Sequence, residues 1–240
     1  MEFFDENEWK EKIKDPLWYI EVPMFIEKLL KLRNQDENQY KATIEEIYNF
    51  FEKQLISGNV FLGSVIKDFD NDRREIDTIV IHHTHNEKGM ANERLSAMEL
   101  LRLYAPYFAT TRDEIIKGKA IYSGHFRDGK QVFYSYHWII RKDGRSERLL
   151  NDNEIGWHAG KWDVNCRSIA IVFDGDYENR TPSEIELKSA ANLIKEKYPA
   201  IKKNMVVGHR EVNPKTTCPS NLFLSKNVKT GWKEDLLALL

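Results

Sequence analysis

Residues 76–83 read IDTIVIHH, an unbroken apolar core of Ile79, Val80 and Ile81 running straight into two histidines. A continuous β-branched run suits a central strand buried on both faces, whereas a half-solvated strand alternates apolar and polar residues. Residues 168–173, SIAIVF, read as a second such strand, and 205–208 as a shorter one. Residues 132–150 predict two more strands, VFYSYHWII and SERLL, around a turn at Asp143-Gly144. Thr181, Pro182 and Glu184 carry the signature of a helix start, with Leu187, Ala190, Ala191, Ile194 and Tyr198 on its buried face and Pro199 as its stop. A helix is also predicted over 96–104, capped by Ser96-x-x-Glu99 and closed before Pro106, and a terminal one over 232–240. Interleaved strands and helices predict an α/β fold, a central mixed β-sheet flanked by helices.

The region before residue 73 is different in style. Tyr40, Ile44, Ile47, Tyr48, Phe51 and Leu55 recur at helical spacing and Gly58 closes that helix. Ile26, Leu29 and Leu30, after Pro23, mark an earlier helix. The expected organisation is a helical N-terminal extension over 1–72 and an α/β domain over 73–240. The composition, 41% hydrophobic and 31% charged, is that of a globular chain. A net charge of −2 gives no general attraction to phosphate backbones, so nucleic acid is not an expected partner. No apolar run approaches the ~18 residues of a membrane span. The opening MEFFDENEWK has the wrong charge pattern for a secretory signal, which predicts cytoplasmic synthesis.

Three places combine metal-binding side chains with strand ends or tight loops: His82-His83-Thr84-His85, Gly208-His209-Arg210, and Thr217-Cys218-Pro219. Alternation along a strand sends His82 to the face opposite His83. A histidine from a rigid strand, with a histidine and a cysteine from a nearby loop, matches a catalytic zinc site, which keeps three protein ligands and a fourth position for water. No second Cys-x-x-Cys or histidine pair completes a closed structural site. Cys166, just before a buried strand, reads as an inert packed thiol.

IVIHHT, SYHWIIRKDG, GWHAG, NCRSIAIVFDGD and VGHREV…TTCPS occur in that order. Together they resemble the type 2 N-acetylmuramoyl-L-alanine amidases and the peptidoglycan recognition proteins over residues 76–224. The resemblance implies Zn2+ as cofactor, held by His82, His209 and Cys218. It implies catalytic roles for Tyr136 and Thr216, and substrate contacts from Trp157, His158 and Asn165. The expected reaction is hydrolysis of the amide between the lactyl group of N-acetylmuramic acid and L-alanine, on peptidoglycan or muropeptides, by a monomer. The alternatives are a peptidoglycan binder without catalysis, a zinc amidase for another amide, and a purely structural metal.

Two departures stand out. The 54 positions from His82 to Tyr136 exceed the family's usual spacing, which predicts an insertion within 86–135. Val172 stands where some relatives carry a glutamate base, so the chain resembles the tyrosine-dependent branch. The absence of a secretory signal fits cell-wall recycling inside the cell and equally a phage-type enzyme released to the wall.

Overall fold

The computed structural model describes residues 3–86, 89–224 and 231–240; residues 87 and 88, part of the expected insertion, lie outside these. The strands are β1 (Thr78–His83), β2 (Phe126–Arg127), β3 (Lys130–Gln131), β4 (Trp138–Ile140), β5 (Ser146–Arg148), β6 (Ser168–Phe173) and β7 (Val206–Gly208). The chain forms two compact units, Met1–Asp68 with Ala91–Phe133, and Phe69–Met90 with Tyr134–Leu240. The sequence placed one break near residue 72. The first boundary falls close to it, but residues 91–133 group with the N-terminal helices rather than with the sheet.

The second unit is built on a mixed sheet of order β5-β4-β6-β1-β7. β4, β6, β1 and β7 run parallel, and β5 closes the edge antiparallel to β4. Every residue of β1 and β6 is buried, as their apolar runs require. Ile79, Ile81, Ile169, Ile171 and Phe173 face the main core, packed on Leu187, Ala190, Ala191 and Ile194 of helix Glu184–Lys197 and on Trp232 and Leu236 of helix Trp232–Ala238. Val80 points to the other face, against Ala159 and Val164. Each buried Ile stabilises by roughly 1.5–3 kcal/mol, so one face secures the fold while the other is left for His82 and its neighbours.

Three local expectations are revised. The helix after β6 is capped two residues later than its first Thr-x-x-Glu pattern: Ser183 and Glu186 form the capping box. Both patterns satisfy the local rule, and a tertiary contact chooses between them, because buried Tyr177 donates its hydroxyl proton to Glu186. Residues 132–137 do not join the β4 ladder as regular strand. There the segment carrying Gly156 approaches so closely that an added Cβ would lie 2.3 Å from the Ser135 carbonyl oxygen. The helix expected over 96–104 begins earlier, at Asn92, and does not stop before Pro106. Residues Leu100–Tyr104 form a widened π turn and helix resumes over Ala105–Thr110. Such a turn accommodates a ring that lacks the N–H of a regular helix. Ser96 is therefore mid-helix, where its hydroxyl oxygen accepts from the Phe133 amide.

In the first unit, helices Val22–Gln35 and Glu37–Ile56 pack together, with Leu29 and Leu32 of the first and Ile47, Phe50 and Phe51 of the second buried. Leu30 is exposed, off that face. Gly58 ends the second helix at φ +69, with its amide bonded to Leu55 and that of Asn59 to the Gln54 carbonyl, a paired closure that favours glycine. Asp128 and Gly129, both at positive φ, turn the small β2–β3 hairpin, a DG signal the sequence reading passed over.

Candidate metal centre

β1 delivers His82 to the side of the sheet away from the main core, with a side chain only 1% exposed residue-wide. β7, the parallel neighbour of β1, ends at Gly208, and His209 follows at once as the first residue of a short helix. Arg210 folds the Cys218 loop back onto that helix: its amide donates to the Cys218 carbonyl at 2.7 Å and its guanidinium to the Ser220 carbonyl at 2.8 Å. The result is convergence. One ligand atom from each of His82, His209 and Cys218 lies within 4.8 Å of the others, and Cys218 Sγ is 3.7 Å from His82 Nδ1. A tetrahedral zinc with bonds of about 2.0–2.3 Å holds its ligands roughly 3.3–3.7 Å apart, so the three fit one ion with little movement.

His209 supplies the sharper test of fit. One ring nitrogen donates to the Ala159 main chain, while buried Nε2 has no hydrogen-bond partner. A buried nitrogen lone pair without a partner costs about 1–3 kcal/mol, a debt a bound cation removes. Burial, and then the neighbouring imidazoles, hold His82 well below the usual histidine range, and burial lowers His209 as well. Both rings are therefore neutral near pH 7, the form in which histidine ligates metal.

Tyr136 is half-buried with its ring centroid 5.1 Å from that of His82, beside the ligand group. The Thr216 hydroxyl oxygen accepts the Cys218 amide at 3.1 Å, so the residue shapes the ligand loop. His158 and Asn165, expected as substrate contacts, are both buried. Each is only 6% exposed. His158 stands behind His82, its Nδ1 3.0 Å from His82 Nε2, and Asn165 accepts the Ala159 amide through Oδ1 at 2.8 Å. Trp157 is half-buried, edge-on to Phe69 and Trp162. Val172 is the register partner of His82 and offers no carboxylate there. Cys166 is fully buried, burial pushes its thiol up, and neither cysteine forms a disulfide.

The sequence reading passed over Ser168 and His137. Ser168 Oγ lies 3.1 Å from His158 Nε2, and His137 ties the segment leading to His158 onto β6. Position in an apolar strand or an aromatic run hid both. His83, His85 and Asp176 form a second compact group of possible ligands. Here the Tyr177 amide donates to His83 Nδ1 at 3.0 Å, which occupies that lone pair and leaves the ring proton on Nε2. His83 thus presents a proton, not a lone pair, to the remaining space.

The family model for N-acetylmuramoyl-L-alanine amidase matches residues 72–221, more than half of the chain. The chain belongs to this amidase family. Among curated relatives it is similar to the 1,6-anhydro-N-acetylmuramyl-L-alanine amidase AmpD of Haemophilus influenzae, 30% identical over 43% of this chain and 61% of that protein. It is also similar to peptidoglycan-recognition protein SC2 of Drosophila simulans, at 28% identity over 53% of this chain and 70% of the relative. The endolysin of Enterobacteria phage K11 matches at 30% identity over 40% of this chain and 64% of its own length. The first of these matches thus spans less than two thirds of the relative. The amidase family accounts for the mixed sheet with flanking helices, while no helix among the described residues is long and apolar enough to cross a membrane.

Proposed function

We propose that this chain is a zinc-dependent amidase that cleaves the bond between the lactyl group of N-acetylmuramic acid and L-alanine in peptidoglycan or its muropeptide fragments. The observation that carries the reading is the meeting of His82, His209 and Cys218 around a buried, partnerless His209 Nε2. Zinc bound there supplies Lewis-acid polarisation of the scissile carbonyl and acidifies a water to a pKa near ~7. Three protein ligands leave a fourth position for that chemistry, which argues against a closed structural site.

The protein's own groups have separate tasks. Tyr136, beside His82, donates its phenolic hydrogen to the carbonyl oxygen as that oxygen gains charge, an interaction stronger in the transition state than in the bound substrate. Thr216 holds the Cys218 amide through its oxygen and keeps its own hydroxyl hydrogen to donate towards the same oxyanion. The half-buried Trp157, braced by Phe69 and Trp162, offers an aromatic face to sugar or peptide. The products are a sugar with free lactate and a peptide with a free L-alanine amine.

The amidase and endolysin relatives support hydrolysis; the recognition-protein relative supports binding alone. Retention of all three ligand side chains favours the enzyme. The test is digestion of purified peptidoglycan and of soluble muropeptides, read by mass spectrometry, with metal analysis of the same preparation. New L-alanine amine termini with about one zinc per chain support the proposal. Binding to peptidoglycan with no new termini overturns it in favour of recognition, and a different new terminus in favour of another amidase.

A further inference from the structure

His82, His158 and Ser168 form a hydrogen-bonded line whose direction is set at its far end. Ser168 Oγ lies 2.6 Å from the Val164 carbonyl oxygen, which has no hydrogen of its own, so the single hydroxyl hydrogen points there. The 3.1 Å contact between Ser168 Oγ and His158 Nε2 is then one in which the ring donates. A neutral His158 with its hydrogen on Nε2 carries a lone pair on Nδ1, and that atom is 3.0 Å from His82 Nε2. His82 must donate from Nε2. Its Nδ1 lone pair is left on the side where Cys218 Sγ stands 3.7 Å away.

We propose that Ser168 and His158 are positioning residues that lock His82 in its Nε2–H tautomer, so that Nδ1 is presented as a ready metal ligand before any metal arrives. The inference rests on the ligand set of the proposed amidase but not on its substrate. A neutral imidazole without such a partner exchanges between two tautomers, and one of them puts a hydrogen where the ion must bind. The line also fixes the ring's rotation, since Nε2 is tied to a residue itself anchored on β6. His83, one residue on, carries the same tautomer, but its Nδ1 lone pair is taken by the Tyr177 amide and is not free for an ion. Outer partners of this type typically affect metal affinity by about ten- to hundredfold.

The test uses the full chain and Zn2+ alone. Long-range nitrogen–proton NMR of the metal-free protein reads the His82 tautomer directly, and competition with a chromophoric chelator reads zinc affinity. The metal-free wild type is expected to show His82 as Nε2–H. In His158→Leu, zinc binding is expected to weaken about ten- to hundredfold, with His82 redistributed between tautomers. His158→Asn places an amide oxygen where Nδ1 was and is expected to recover most of the affinity. A wild-type His82 carrying its hydrogen on Nδ1 overturns the proposal, as does a His158→Leu protein that binds zinc as tightly as wild type. The wild-type spectrum needs no variant to fold. An Nε2–H His82 with tight zinc in a protein that cleaves no muropeptide supports the tautomer lock while refuting the amidase reading.

Discussion

Acidifying the metal-free protein is expected to destabilise it through His137, a residue outside the candidate ligand group. His137 is fully buried. Its Nδ1 accepts the Ala170 amide of β6 at 3.0 Å, and its Nε2 donates to the Glu154 carbonyl at 2.9 Å. Burial, and next the charge of Arg73, lowers its pKa to about 3. A proton added to Nδ1 would face the Ala170 N–H and break that bond. Because the folded pKa lies below the unfolded value of about 6.5, the unfolded chain binds the proton first. The stability is complete above about 6.5 and is lost progressively as pH falls towards about 3. At about pH 4.5, two units below the unfolded pKa at about 1.4 kcal/mol each, the cost is about 3 kcal/mol. The assay is urea denaturation with chelator present, at about pH 7 and about pH 4.5, on wild type and His137→Asn, which keeps an acceptor for Ala170 but cannot titrate. His82 and His158, also held neutral by burial, act in the same direction in both proteins. Wild type is expected to lose about 3 kcal/mol more than the variant on acidification. Equal losses in the two proteins would refute the reasoning.

Cys218→Ser is expected to lower zinc content and abolish hydrolysis with the circular dichroism spectrum unchanged; full activity with stoichiometric metal would remove Cys218 from the ligand set. Tyr136→Phe is expected to retain zinc and lose about a hundredfold in kcat, the usual consequence of deleting one oxyanion donor. An unchanged kcat would exclude that role. Gly208→Ala would place a Cβ 2.6 Å from Phe223 and 2.8 Å from Pro219, between a fully buried ring and the neighbour of a ligand. A loss of about 1–3 kcal/mol and weaker zinc binding are expected, read by denaturant melts and chelator competition.

Some of this was legible along the chain and some was not. The apolar runs of β1 and β6, the buried face of helix Glu184–Lys197 and the histidine and cysteine positions follow from residue type and period, which are local properties. The likeness of five ordered motifs named the family, and the family model's match over 72–221 agrees with it. The capping box moved two residues because Tyr177, not the local pattern, selects Glu186. The break near residue 72 could not reveal that 91–133 joins the first 68 residues, since packing partners distant in sequence leave no periodic trace.

The same division runs through the metal group. By itself the sequence determined which side chains were chemically able to ligate zinc and that strand alternation sets His82 apart from His83. Only the tertiary structure brought His209 and Cys218 to His82, set His158 against His82 Nε2, and placed Ser168 beside His158. The reason is physical: ligand type is a property of one residue, whereas the direction of a hydrogen bond depends on what every neighbour already donates or accepts.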